Sequence, residues 1–269
     1  MPAFPHGILF SDVDGTFLDR GYSPVVEGAD LRVLLGDWRL VFVSSRTAAE
    51  LYALHQRIDL RDDAIGENGG VLLTYDHRTA QRFGTAEPLE DAWVVTLAEP
   101  IAAVRARVTP VLTALGGTEV SAVSAAEMAA RSAYGVADAA RALDRRCSVL
   151  VTELSPSGAH ALDLLRTEGF TVVHGGRWTS ILQGSDKGRA ITRWRALCAP
   201  AQPAVGVGDA DNDAPLLAAV DHAFVVRDPE SGPAAALLAV PGARALAAPG
   251  PLGWLDLAQT LPSVLTEIR

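Results

Sequence analysis

The chain has 269 residues, 49% of them hydrophobic, and a formal net charge of −9. That length suits two small domains, each able to bury its own core, and the acidic balance excludes the basic footprint of a nucleic-acid binder. Cys147 and Cys198 are the only cysteines and lack metal-ligand spacing, which excludes a disulfide framework and points to the cytoplasm. Neither a secretory signal nor a membrane span is expected.

The first informative stretch is Phe10-Ser11-Asp12-Val13-Asp14-Gly15-Thr16-Phe17-Leu18. Ile8-Leu9-Phe10 reads as a buried strand by its apolar run and turn-rich exit. Asp12 and Asp14 follow two apart, at a strand end where open α/β sheets bind ligands. Such a pair can hold a hard divalent cation, and one member can act as a nucleophile. The same triplet also occurs in turns, calcium loops and nucleotide-sugar transferases.

Ser23-Pro24 then marks a helix start, Leu31, Leu34 and Leu35 its apolar side, and Gly36 its stop. Leu40–Val43 reads as a second buried strand ending in Ser44-Ser45-Arg46-Thr47. Thr47 and Glu50 have capping-box spacing ahead of a helix carrying Leu51, Leu54 and Ile58. Two readings stand for Ser44: a helix cap, or a hydroxyl that holds phosphate beside free backbone N–H groups. Glu67-Asn68-Gly69-Gly70 reads as a turn, with Asn and Gly supplying positive φ.

From about residue 81 the rhythm changes. Strand-like Trp93–Leu97 precedes a helical stretch from Ile101 to Leu115, which Pro110 is expected to break or kink. Ser124 and Glu127 have capping-box spacing, and a helix follows over Ala137–Leu143. Ser148–Val151 reads as a strand, Ser157–Glu168 as a helix closed by Gly169, and Phe170–Val173 as a strand. This interleaving predicts a self-contained α+β domain inserted over 83–183 into a first domain made of 1–82 and 184–269.

The opening rhythm then returns. Ser185-Asp186-Lys187-Gly188 opens a helix, and Ala204–Val207 is a strand ending in Gly208-Asp209-Ala210-Asp211-Asn212-Asp213, a second oxygen-rich cluster. Lys187 is the only lysine; every other long basic side chain is arginine. A compact ammonium is not interchangeable with a planar guanidinium at a crowded site. Strands near His222–Val226 and Ala243–Leu246, then a helix over Leu255–Ile268, complete the chain.

The Asp-Val-Asp-Gly-Thr-Phe-Leu string, Ser44, Lys187 and the Asp209–Asp213 cluster together resemble the four motifs of the haloacid dehalogenase-like (HAD) phosphohydrolases. The resemblance implies a Rossmann-like parallel-sheet α/β core with an inserted cap. It implies Mg²⁺, Asp12 as nucleophile and metal ligand, and Asp14 as acid and base with its backbone carbonyl on the metal. Asp209 and Asp213 go to the metal site, and Ser44, Lys187 and Asn212 to phosphate. Asp14 favours phosphomonoester hydrolysis over dehalogenation or P-type ATPase chemistry.

Val43–Thr47, Glu67–Gly70, Gly175–Trp178 and Gly184–Ala190 are more narrowly similar to the mannosyl-3-phosphoglycerate phosphatases. This implies a phosphorylated sugar or glycosyl-glycerate substrate, with Arg46, Asn68, Gly69 and Arg177 among the substrate-binding residues. Arg177 reads either as a clamp on a substrate carboxylate or as a solvated strand arginine. Two stretches depart from that family's pattern. Arg145-Arg146-Cys147-Ser148-Val149 lacks its acidic residues, and Thr179-Ser180 stands where an aromatic and a histidine often follow. A broad-specificity sugar phosphatase and a phosphate-binding regulatory protein without turnover are the alternatives.

Overall fold

The computed structural model describes residues 7–115, 118–132, 134–152, 156–175 and 178–264. Its elements begin with β1 (Gly7–Ser11), α1 (Gly28–Leu35), β2 (Trp38–Val43), α2 (Ala48–Ile58), β3 (Ala64–Gly66), β4 (Val71–Thr74), α3 (His77–Phe83), β5 (Ala86–Leu89) and β6 (Ala92–Thr96). They continue with α4 (Ile101–Leu115), β7 (Thr118–Glu119), α5 (Ala125–Arg131), α6 (Val136–Leu143), β8 (Ser148–Thr152), α7 (Pro156–Thr167), β9 (Phe170–Gly175) and β10 (Trp178–Gln183). The last are α8 (Lys187–Cys198), β11 (Ala204–Gly208), α9 (Ala214–Ala218), β12 (His222–Arg227), α10 (Ala235–Leu238), β13 (Arg244–Pro249) and α11 (Leu252–Val264). The chain divides into two compact units, one of residues 1–44, 53–64 and 187–269, the other of residues 45–52 and 65–186.

The first unit carries a parallel sheet in the order β13-β12-β11-β1-β2. β1, β2 and β11 are buried at every residue, as expected of parallel strands covered on both faces, and their apolar runs made them readable. Ser11 stands opposite Phe42 of β2 and Val207 of β11, so the three strands end level at one edge. β1 is the switch point, because β2 lies on one side and the later strands build outward on the other. Trp194 of α8 packs edge-on against Phe10, with ring centroids 5.5 Å apart.

The second unit has two antiparallel groups of strands. β4 pairs with β6 and β6 with β5, and a four-stranded sheet runs β7-β8-β10-β9. One face of that sheet presents Val149, Val151, Phe170 and Ile181 to Val104, Val108 and Leu112 of α4 and to Leu162 and Leu165 of α7. On the other face Leu150 packs with Val120, Met128, Ala139 and Ala142.

Several local expectations meet different outcomes. Both capping boxes form: Glu50 N–H donates to Thr47 Oγ1 while Thr47 N–H donates to Glu50, and Ser124 and Glu127 do the same. Gly36 and Gly169 end their helices at φ +54° and +84°, where a Cβ would be strained. Helix α1, however, starts at Gly28 behind Glu27, not at Ser23-Pro24. The Asp19 side chain takes the N–H groups of Gly21 and Ser23 and holds that stretch as a turn. α4 continues through Pro110. α11 runs to Val264, and the expected helix end at Ile268 lies outside the described residues. Residues 45–52, 65–82 and 184–186, assigned by sequence to the first domain, cluster with the second unit; for 65–82 the reason is that β4 is bonded to the strands that follow it. No described helix is long and apolar enough to cross a membrane.

Candidate active site

The level edge of β2, β1 and β11 puts the loops after β1 and β11 side by side in the first unit, with Ser44 at the end of β2. The loop after β1 is closed by its own backbone: Phe17 and Leu18 N–H donate to Val13 O, and Gly15 N–H to Leu18 O, all within 3.0 Å. Phe17 is fully buried between Phe42 and Trp254, at centroid distances of 5.0 and 4.9 Å. Trp254 also donates its indole N–H to Ser11 Oγ at 2.9 Å. The apolar half of the motif thus anchors the loop, and the acidic half is held at the edge. Asp12 is buried and Asp14 half-buried.

Lys187, the first residue of α8, is 1% exposed and donates from Nζ to Asp12 Oδ1 at 2.7 Å and to Asp213 Oδ1 at 2.6 Å. The loop after β11 folds into a turn in which the N–H groups of Asp209 and Ala210 donate to Asp213 Oδ2, at 3.1 and 3.2 Å. Thr16 Oγ1 donates to Asp209 Oδ1 at 2.9 Å. Gly15 sits at φ +83°, and a Cβ there would meet Asp209 Oδ2 at 2.5 Å, so glycine lets the two loops touch.

Carboxylate oxygens of Asp12, Asp209 and Asp213 lie within 4.8 Å of one another. One ammonium faces three carboxylates. Burial, then repulsion from Asp213, raise the Asp12 carboxyl well above its usual range despite the Lys187 contact. Asp209 is pushed up to about 7 by burial and by Asp213. The Lys187 ammonium is held charged: burial opposes it, and the attraction of Asp12 and Asp213 outweighs that. Burial first, and then the surplus of carboxylates, make Asp12 resist ionisation, while that excess of negative charge keeps its ammonium partner charged. A hard divalent cation coordinated by oxygen fits both the donor set and the excess.

The structure brings together Asp12, Lys187, Asp209 and Asp213 of the residues singled out by sequence. Asp14 lies outside the three-carboxylate group and adds to the repulsion on Asp209. Ser44 is buried directly beyond β2, and Asn212 is half-buried in the turn before Asp213. Arg46, Asn68 and Gly69 belong to the second unit, and Arg177 lies outside the described residues. Thr16, given no role by sequence, positions Asp209; its place two residues after Asp14 was the signal.

In the second unit, Glu67, Asn68 and Gly69 all have positive φ, at +48°, +55° and +100°. Glu67 is fully buried and accepts from the N–H groups of Arg146, Cys147 and Ser148 and from Ser148 Oγ, at 2.7, 3.2, 3.0 and 2.6 Å. Arg145 Nε stands 3.8 Å from the same carboxylate. The stretch that lacks acids in sequence therefore receives one from the turn.

No family model matches the sequence. The glucosyl-3-phosphoglycerate/mannosyl-3-phosphoglycerate phosphatase of Methanococcoides burtonii is 26% identical over 266 residues, covering 92% of this chain and 94% of the relative. A phosphatase of the HAD superfamily from Bacteroides thetaiotaomicron superposes with a TM-score of 0.63 at 13% identity, covering 98% of this chain and 96% of that one. The chain has the HAD fold. The sucrose-phosphatase of Synechocystis, solved with sucrose and phosphate, shares that HAD fold at a TM-score of 0.59 and 13% identity, over 97% of each chain.

Proposed function

We propose that the protein is a Mg²⁺-dependent phosphomonoester hydrolase that works through an aspartyl-phosphate on Asp12, with a glycosyl-3-phosphoglycerate as substrate. The observation that carries the reading is Asp12 bonded to the sole lysine beside Asp209 and Asp213. Asp12 would attack phosphorus and the leaving oxygen would depart as an alcohol, protonated by Asp14. Asp14 would then take a proton from the water that cleaves the acyl phosphate, returning both residues to their starting state. Lys187 neutralises charge on the transferred group, where phosphoryl transfer needs it most, and Ser44 holds another of its oxygens. Mg²⁺, held by Asp12, Asp209, Asp213 and the Asp14 carbonyl, would supply further charge neutralisation and orientation.

The second unit is read as the inserted substrate domain, with Arg46, Asn68, Gly69 and Arg177 among its binding residues. The relative's activity and the four matching sequence stretches support the substrate class. The altered stretches Arg145–Val149 and Thr179-Ser180 favour a second reading, a broader sugar phosphatase.

Phosphate release with Mg²⁺ decides between the two. The substrates to compare are glucosyl- and mannosyl-3-phosphoglycerate, hexose 6-phosphates, sucrose phosphate and p-nitrophenyl phosphate. Preference for the glycosyl-3-phosphoglycerates by a hundredfold or so in kcat/KM supports the first. Even, slow turnover of every compound supports the second.

A further inference from the structure

We propose that Ser180 is a specificity-determining residue that hydrogen-bonds a hydroxyl of a hexosyl group on the substrate. This rests on the phosphatase reading above and names a residue that reads the leaving group.

Ser180 is in β10, an inner strand of the four-stranded sheet, opposite Leu150 on β8 and Val173 on β9. Its neighbour Ile181 faces α4 and α7, so by strand alternation Ser180 faces the other way. It is 3% exposed, and its Oγ has no hydrogen-bond partner. The surrounding hydroxyls are different. Ser148 Oγ donates to Glu67, Thr171 Oγ1 donates to Ser185 O, Ser121 Oγ donates to Glu119, and Thr179 Oγ1 is paired with His174 Nδ1.

A buried hydroxyl left unmade costs free energy that alanine at the same place would not. A serine buried there without a partner is explained by one that arrives from outside. A second polar atom in the unit is in the same condition. Asn68 is 2% exposed, and its Oδ1 also has no partner. The two are linked through the fold, because Glu67, next to Asn68, is bonded to Ser148, and Ser148 pairs with Leu182, two residues from Ser180. Arg146 Nε is unpartnered as well, but its guanidinium is already ion-paired with Glu87.

Asn68 Oδ1 can only accept a hydrogen bond, whereas Ser180 Oγ can accept and donate. That complement suits hydroxyls, each both donor and acceptor. A carboxylate or phosphate would demand an uncommitted cation beside them. Among the described groups of the unit, these two fit an uncharged polyol.

The test measures binding apart from turnover. Calorimetric titration of glucosyl- and mannosyl-3-phosphoglycerate into Asp12→Asn protein is compared with titration into the Asp12→Asn, Ser180→Ala double variant. The affinity should fall about two- to twelvefold, the worth of one hydrogen bond. In the active background, Ser180→Ala should raise KM for the glycosyl substrate by a similar factor. It should leave kcat/KM for p-nitrophenyl phosphate within about twofold and should not lower the melting temperature.

Unchanged affinity would mean that the hydroxyl takes no part in binding, whatever the melting temperature, and would overturn the inference. So would equal losses on both substrates, or no binding of either glycosyl ester. Binding that depends on Ser180 without any phosphate release by the wild-type protein would instead contradict the phosphatase reading and leave this one standing.

Discussion

Replacing Glu67 by alanine should destabilise the second unit far more than its position in a turn suggests. The carboxylate is fully buried and every one of its near partners is a donor: three backbone N–H groups, the Ser148 hydroxyl and the Cys147 thiol, the last at 3.4 Å. Alanine leaves the three N–H groups buried and unmade, at about 1–3 kcal/mol each. Relief of the buried negative charge offsets part of this, so a net loss of about 3–5 kcal/mol is expected, as for one partner removed from a buried charged network. At about 2–4 °C per kcal/mol for a chain of this size, the melting temperature should drop by roughly 6–20 °C. Urea unfolding gives the free energy. A second readout is Cys147, whose thiol is buried and pushed up by burial and by Glu67; its alkylation under native conditions should accelerate in the variant. Glu67→Gln keeps one acceptor and turns an NH₂ toward donors, so it should lie between. A loss below about 1 kcal/mol for the alanine variant, with Cys147 still protected, would refute the view of Glu67 as the hub of the turn and the start of β8.

Lys187→Met should lower phosphate release by about a hundredfold or more, the usual cost of a transition-state charge partner. Lys187→Arg should fail to restore it because a planar fork does not fit between Asp12 and Asp213; recovery above a tenth of wild-type activity would contradict that. Gly15→Ala drives a Cβ into Asp209 and should raise the Mg²⁺ concentration for half-maximal activity at least about tenfold, read from a metal titration; an unchanged midpoint would count against the contact. Burial pushes His55 down to about 3, so the folded protein keeps it neutral while the unfolded chain gains a proton below about 6.5. The stability it contributes is complete above that pH and is lost as pH falls toward 3. Urea melts of wild type and His55→Leu from pH 7 to 4 should differ in slope by up to about 1.4 kcal/mol per pH unit; parallel curves would exclude the effect.

The parts legible in the sequence were those whose physics is local. Buried parallel strands print continuous apolar runs, so β1, β2 and β11 were readable together with the acidic residues after β1 and β11 and Ser44 after β2. The two capping boxes and the stops at Gly36 and Gly169 follow from spacing and φ alone. What escaped depends on which partner claims a group, and that partner is distant in sequence in every case but the first. Ser23-Pro24 has every local mark of a helix start, yet Asp19 claims the backbone there. β10 carries Trp178, Thr179 and Ser180 ahead of its apolar end, and becomes a strand through pairing with β8 and β9. Glu67 looked like a turn residue because its donors come from residues 146–148, about eighty positions away. Thr16 likewise gains its role only when β11 delivers Asp209 beside it.

The central claim is that Asp12 becomes phosphorylated, and trapping that species tests it most directly. Rapid acid quench of the enzyme with phosphate-labelled glycosyl-3-phosphoglycerate, followed by peptide mapping, should place a hydroxylamine-labile phosphate on Asp12. The label should be absent from Asp12→Asn, which should also lose turnover. Label on another residue, or an Asp12→Asn protein that still turns over, would contradict the account.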